Sequence, residues 1–289
     1  MGWRAGAVVL LVGAGSGAAV TAWPSGAAAE HDPDLLQLEI VTAVASDYMY
    51  RGVSLSEHRP TAHASIDVQN NGFYGDVQFA SVSLPNDPAV EITLAGGYRW
   101  KLAGIKFDLG AYYFDYPGQT LTGPAANLDY WEYDLEASHR FNDVDIQATL
   151  AYSPNVSGTG AWGAYVEGQV TVDLPKLTLW RPIDWHLVAT AGYWRFGDVA
   201  PAQGGFALPS YANWRAGLAF DLNTYVTLDV SYYDSSLSRE DCFVFTGDTM
   251  ASPGGAPNPV SNPLGLRSRL CGAAVVGTLT ATFDIPDKD

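Results

Sequence analysis

The chain has 289 residues, enough for one sizeable domain, with only 16% charged and 12% aromatic residues; that balance excludes a disordered chain and a coiled coil. Acidic residues outnumber basic ones 31 to 15, for a net charge of −16, which excludes a broad nucleic-acid surface. Two cysteines are too few for a Cys-rich four-ligand zinc site.

Taken in chain order, residues 1–29 read as a cleaved signal peptide. Arg4 precedes an apolar stretch from Ala5 to Ala22, and Ala27 and Ala29 form an A-x-A-like cleavage site before Glu30. Residues 30–289 form the mature domain, and export places it in an oxidising compartment. From Leu36 onward no segment has the 3.6-residue periodicity of an amphipathic helix. Period-2 alternation recurs instead, as in strands. Ala62, Ala64, Ile66 and Val68 share one face, with His63, Ser65, Asp67 and Gln69 on the other. The same alternation returns at Val90–Leu94, Ile105–Leu109, Trp131–Ser138, Val144–Leu150, Ala164–Val172, Asn213–Asp221, Tyr225–Ser231 and Thr278–Phe283. About twelve such segments fit, each long enough to cross a membrane as a tilted strand.

The connections separate a membrane barrel from a soluble sandwich. Asn70-Asn71-Gly72, Leu102-Ala103-Gly104, Asn142-Asp143 and Asn223-Thr224 read as tight hairpin turns. Between them lie longer links at Arg51–Pro60, Leu84–Ala89, Pro117–Asp129, Pro154–Ala161, Gly197–Ser210 and Leu237–Leu270, with a medium link at Leu174–Asp184. Within the last long link, Ser252–Pro263 reads as a mobile loop. Alternating short and long connections are the signature of an outer-membrane barrel. Aromatics gather near the ends of the candidate strands, at Tyr48, Tyr50, Tyr98, Trp100, Tyr112, Tyr113, Trp131, Tyr133, Tyr152, Trp162, Trp194, Trp214, Tyr225, Tyr232 and Tyr233. Such a distribution matches two interfacial girdles. The fold expected is an all-β, transmembrane, antiparallel up-and-down barrel of about twelve strands in the bacterial outer membrane.

The segment Val44-Ala45-Ser46-Asp47-Tyr48-Met49-Tyr50-Arg51-Gly52-Val53-Ser54, taken as the first strand of the mature chain, resembles the opening signature of the TorF-type porin family. Asn71-Gly72-Phe73-Tyr74-Gly75 is similar to that family's second hairpin, and Cys271-Gly272 to the approach to its final strand. The likeness runs from about Leu38 to Phe283, and it implies a barrel with a pore.

If the apolar faces meet lipid, the polar faces line the interior. The expected lining residues are Asp67, Asp76, Glu91, Arg99, Asp108, Glu132, Asp134, Glu136, Asp145, Glu167, Arg215 and Asp229. Their acidic excess favours cations if the lumen is open; pairing across the lumen would instead plug it. Glu132, Asp134 and Glu136 are ~6.8 Å apart along one strand face, a spacing compatible with acid–base work, although any polar-in strand produces it. No G-x-S-x-G or H-E-x-x-H motif occurs, so a non-enzymatic role without metal or cofactor is expected. Cys242 and Cys271 flank the last long loop, and pairing them would staple it. The function expected is a passive porin-like channel for small hydrophilic solutes, leaning to cations, with outer-membrane lipid as its surroundings. The alternative is a non-conducting barrel whose long loops bind a partner or ligand. Oligomeric state is not readable from these features.

Overall fold

The computed structural model describes residues 36–85, 87–120, 127–178 and 182–286. The expected signal peptide lies outside the described residues. Twelve long strands form the wall: β1 Gln37–Ala45, β2 Thr61–Asn70, β3 Phe73–Ser81, β4 Val90–Leu102, β5 Ile105–Asp115, β6 Tyr130–Phe141, β7 Val144–Ser153, β8 Gly163–Asp173, β9 Pro182–Phe196, β10 Tyr211–Asp221, β11 Val226–Ser235 and β12 Ala274–Pro286. Each pairs antiparallel with its sequence neighbours. Pairing of β1 with β12, from Gln37 opposite Pro286 to Ala45 opposite Thr278, closes the barrel. Closure satisfies the backbone of every wall strand and leaves no edge, as a strand protein in lipid requires.

The alternation in the sequence becomes two faces. Leu109, Leu135, Leu150 and Val166 are cross-strand neighbours on the outside of β5 to β8, and all four are exposed. Exposed aromatics flank this apolar band: Trp131, Tyr133, Tyr152, Tyr193, Trp214 and Tyr232 toward the long loops, and Phe73, Tyr98, Phe141, Tyr225 and Phe283 toward the short turns. This is the surface of a barrel solvated by hydrocarbon and anchored at two interfaces. The protein is a transmembrane barrel of the bacterial outer membrane, with its long loops gathered at one end, termed the outer end, and its short turns at the other, termed the inner end.

Three sequence expectations need correction. The segment Val44–Ser54 is not one strand. β1 stops at Ala45, and the chain turns into the barrel, where Met49–Tyr50 pairs with Val53–Ser54. Arg51 and Gly52 make the turn with φ of 45° and 80°. A Cβ on Gly52 would meet Ser235 Cβ at 2.9 Å and Asn213 Cβ at 3.1 Å, so only glycine seats the turn against the wall. Second, Tyr48, Tyr50, Tyr112, Trp194 and Tyr233 are buried inside rather than placed in the girdles. Third, the last long loop carries a helix, α1 Arg239–Thr246, which begins where Ser238 accepts the Asp241 amide and ends at left-handed Gly247. Two turns are too few for periodicity to reveal it. In the same loop Ser252–Pro253 pairs with Leu266–Arg267, and the Asn262 side chain bonds the Leu266 backbone.

The main core sits at the outer end, inside the wall, and all six long connections feed it. Tyr48, Tyr50 and Leu55 from the first loop, Leu84 from the second, and Tyr116 and Leu128 from the third meet Val156, Val199, Leu208 and Phe245 from the remaining three. Cys242 and Cys271 are bonded (S–S 2.04 Å), which joins α1 to the approach of β12.

Replacing Leu135, at the middle of the outward apolar ladder, with arginine is expected to destabilise the barrel by about 2–4 kcal/mol. Equilibrium unfolding in lipid vesicles measures this. A cost near zero would mean that Leu135 does not face hydrocarbon.

Candidate functional site

Most inward rows run from packed to hydrated, although His186 and Val188 in β9, Ala219 in β10 and Tyr74 in β3 stay buried toward the short turns. Along β6, Tyr130, Glu132 and Asp134 are buried, Glu136 and Ser138 half-buried, and Arg140 exposed. Along β2 the sequence is similar, from buried Thr61 to half-buried His63, Ser65, Asp67 and Gln69. The outer half of the lumen is therefore filled and the inner half partly water-accessible. Between Tyr48, His63 and Glu91 a cavity of about 30 Å³ remains. It has room for a water or two and none for a hydrated solute.

At the boundary lies Arg51. Its Nη1 and Nη2 each donate to Glu132 at 2.9 Å, a bidentate pair whose side chains are 2% and 1% exposed. The guanidinium carbon stands 3.9 Å from the Tyr165 ring centre, 4.3 Å from Trp194 and 4.8 Å from Tyr50. A planar cation with five donors suits this combination of fork and aromatic faces. The wall holds the cage rigid. Tyr165 hydroxyl donates to Glu167 and lies 3.1 Å from the Asn213 side-chain amide. Trp194 packs against Phe196, Tyr211 and Phe245. Gly192 leaves space for the Tyr165 ring; a Cβ there would stand 2.1 Å from the hydroxyl.

The twelve residues expected to line the interior all occupy inward positions of the wall, and the fold gathers them into separate groups. Arg99 binds Asp67 through two nitrogens at 3.1 and 3.0 Å and Asp108 at 3.0 Å, with its guanidinium 3.8 Å from the Tyr74 ring centre. Arg215 donates to Asp229 at 2.7 Å and to Ser231. Glu91 accepts from Tyr48 and Tyr116 at 2.9 and 2.5 Å. Asp76 accepts from Gln78, Glu136 from Gln147 and Glu167 from Tyr165. Asp145 lies opposite Arg140 in register. Glu132, Asp134 and Glu136 form one inward row, but only Glu132 is committed to Arg51. Among the described residues no group of His, Cys, Asp and Glu has the arrangement to hold a metal ion.

Sequence reasoning missed Arg51, Tyr165 and Trp194 as a unit, along with the tie made by His58. His186 is clamped between Asp173 at 2.9 Å and Asp221 at 2.8 Å at the inner end. His58 ties the first loop to the last: Nδ1 meets Asp47 at 2.7 Å and Nε2 meets the Arg269 carbonyl at 3.0 Å. Nearby, the Ser54 amide donates to the Leu270 carbonyl at 2.7 Å. Arg51 had a signal in its motif, yet that motif reads equally well as strand.

Both partners of the His58 ring are acceptors, so both nitrogens donate, which only the imidazolium does. The Asp47 hydrogen bond raises its pKa above the ordinary histidine value, against partial desolvation and helped by the Arg269 carbonyl and the charge of Asp248. A raised folded-state pKa means the tie is complete below the ordinary value of about 6.5 and is lost as pH climbs through the raised one. Amide exchange at Tyr48 and His58, whose N–H groups donate to Ser56 and Ser54, is therefore expected to quicken as pH climbs above about 6.5, beyond its intrinsic dependence. In His58→Gln that excess should vanish. An unchanged excess would remove His58 from the tie.

Several solved structures are similar in shape. A NanC porin covers 87% of this chain and all of its own, at 10% identity and a TM-score of 0.45. An outer-membrane channel from Pseudomonas putida F1 covers 88% of this chain and 97% of its own, at 12% identity and 0.40. LpxR from Salmonella typhimurium covers 85% and 99%, at 10% identity and 0.36. No curated protein matches the sequence. A family model described as a bacterial protein of unknown function, Gcw_chp, matches residues 31–253. The chain belongs to the Gcw_chp family.

Proposed function

We propose that the protein is a porin-like channel for small hydrophilic solutes, with a preference for cations, and that the conformation described is its closed state. One observation carries the reading: a charged, water-accessible inner lumen ends at an inward-folded loop that a single buried ion pair, Arg51–Glu132, fastens to the wall. The resemblance of Val44–Ser54 to TorF-type porins adds to it. Selectivity follows from the carboxylates of the inner and middle lumen, which outnumber the arginines beside them. In this reading the row Glu132, Asp134 and Glu136 acts through its field and not as acid–base catalyst, because Glu132 is occupied by Arg51.

The second reading is a non-conducting barrel whose loops bind a partner. It is favoured by the completeness of the outer core, in which Phe245, Val156, Leu55 and Tyr116 are each at most 1% exposed. Conductance of the folded protein in planar bilayers under a salt gradient separates the two.

Removing one partner of a buried bidentate pair leaves a charge without compensation, at a cost of about 3–5 kcal/mol. Glu132→Gln does this to Arg51 while preserving shape. The expected result is rare, cation-selective openings in the wild type and at least a tenfold higher open probability in Glu132→Gln. Silence from both proteins, with folding verified, would overturn the channel reading in favour of the second.

A further inference from the structure

The Arg51 cage is divided between the inserted loop and the wall, and the division points to a ligand. Tyr50 comes with Arg51. Glu132, Tyr165 and Trp194 belong to β6, β8 and β9, and contacts within the wall and to the last loop hold Tyr165 and Trp194 in place. The wall itself thus supplies a carboxylate and two aromatic faces around the guanidinium. We propose that this wall site is a recognition site for small guanidinium solutes, and that Arg51 is an internal occupant that such a solute displaces.

Three further features fit this assignment. Bidentate contact at 2.9 Å on both oxygens matches a planar fork and not the point charge of an alkylammonium. Asp134 and Glu136 continue the row below Glu132 toward the hydrated half of the lumen, so a cation entering there meets a descending series of carboxylates that ends at the cage. The Tyr211 hydroxyl, beside Trp194 and buried, has no hydrogen-bond partner among the described residues. It leaves a polar contact available to a ligand that carries more than its guanidinium. The solute class and the role of displacement in opening rest on the channel reading; binding at the wall site does not.

Arg51→Ala empties the cage and exposes the wall site, and methylguanidinium is the probe. In the refolded full chain, calorimetric titration is expected to show saturable binding to Arg51→Ala. The affinity should be at least tenfold weaker in Arg51→Ala/Glu132→Gln, and methylammonium should bind at least tenfold more weakly than methylguanidinium. Equal binding to the two variants, or none to Arg51→Ala, would overturn the site. If Arg51→Ala fails to fold, the wild type supplies the measurement. Methylguanidinium should accelerate amide exchange at Gly52 and Val53, and sodium at equal ionic strength should not; identical rates would overturn the proposal. Binding to Arg51→Ala with silent bilayers would keep the site and end the channel reading. Currents indifferent to methylguanidinium, with no binding to Arg51→Ala, would end the site and keep the channel.

Discussion

The arrangement of the lumen depends on burying one arginine beside one carboxylate at the level where water stops. Taking two opposite charges out of water is costly, and geometry decides whether their attraction offsets the cost. Here the geometry is favourable: two parallel hydrogen bonds from Arg51 to Glu132, and aromatic faces around the rest of the guanidinium. The pair, together with the Tyr48 hydrogen bond to Glu91, ties the inserted loop to the wall. With the loop in place, Tyr48, Tyr50 and Leu55 complete a core to which every long connection adds apolar side chains.

The two ends of the barrel solve different problems. At the inner end, short turns leave the lumen open to water, and charges pair in hydrated networks such as Arg99 with Asp67 and Asp108. Partial hydration keeps each pair weak and replaceable. At the outer end the loops exclude water, so the buried carboxylates there take partners from the protein. Glu91 finds two phenols, Asp47 finds Ser54, Ser56 and His58, and Asp248 finds Ser268. The Cys242–Cys271 bond belongs to the same strategy: it holds α1, and with it Phe245, over Trp194 and Tyr211.

That division explains why the sequence was legible in some places and not in others. Lipid imposes one rule on all twelve strands, so period-2 patterns such as Ala62–Gln69 and Trp131–Ser138 expose the wall directly. Lumen-facing charges follow from the same pattern, which is why all twelve expected lining residues point inward. The pattern carries no information on what fills the space between them. Tyr48 and Tyr50 sit in an alternating stretch near a strand end and read as girdle aromatics; only the left-handed pair Arg51 and Gly52 turns them inside. Trp194 satisfies the girdle pattern as well as Tyr193 does, and one residue of register decides which of them meets lipid.

The sequence by itself determined the twelve-strand barrel, its alternation of long loops and short turns, its apolar outer band and the acidic character of its inner face. These follow from local alternation and connection length, which neighbouring residues carry together. Tertiary structure alone decided that the outer half of the lumen is filled, that Arg51 meets Glu132 across 81 residues, and that Tyr165 and Trp194 close around it. Those contacts join β6, β8, β9 and an inserted loop, segments whose proximity arises only when β1 pairs with β12 and the barrel closes.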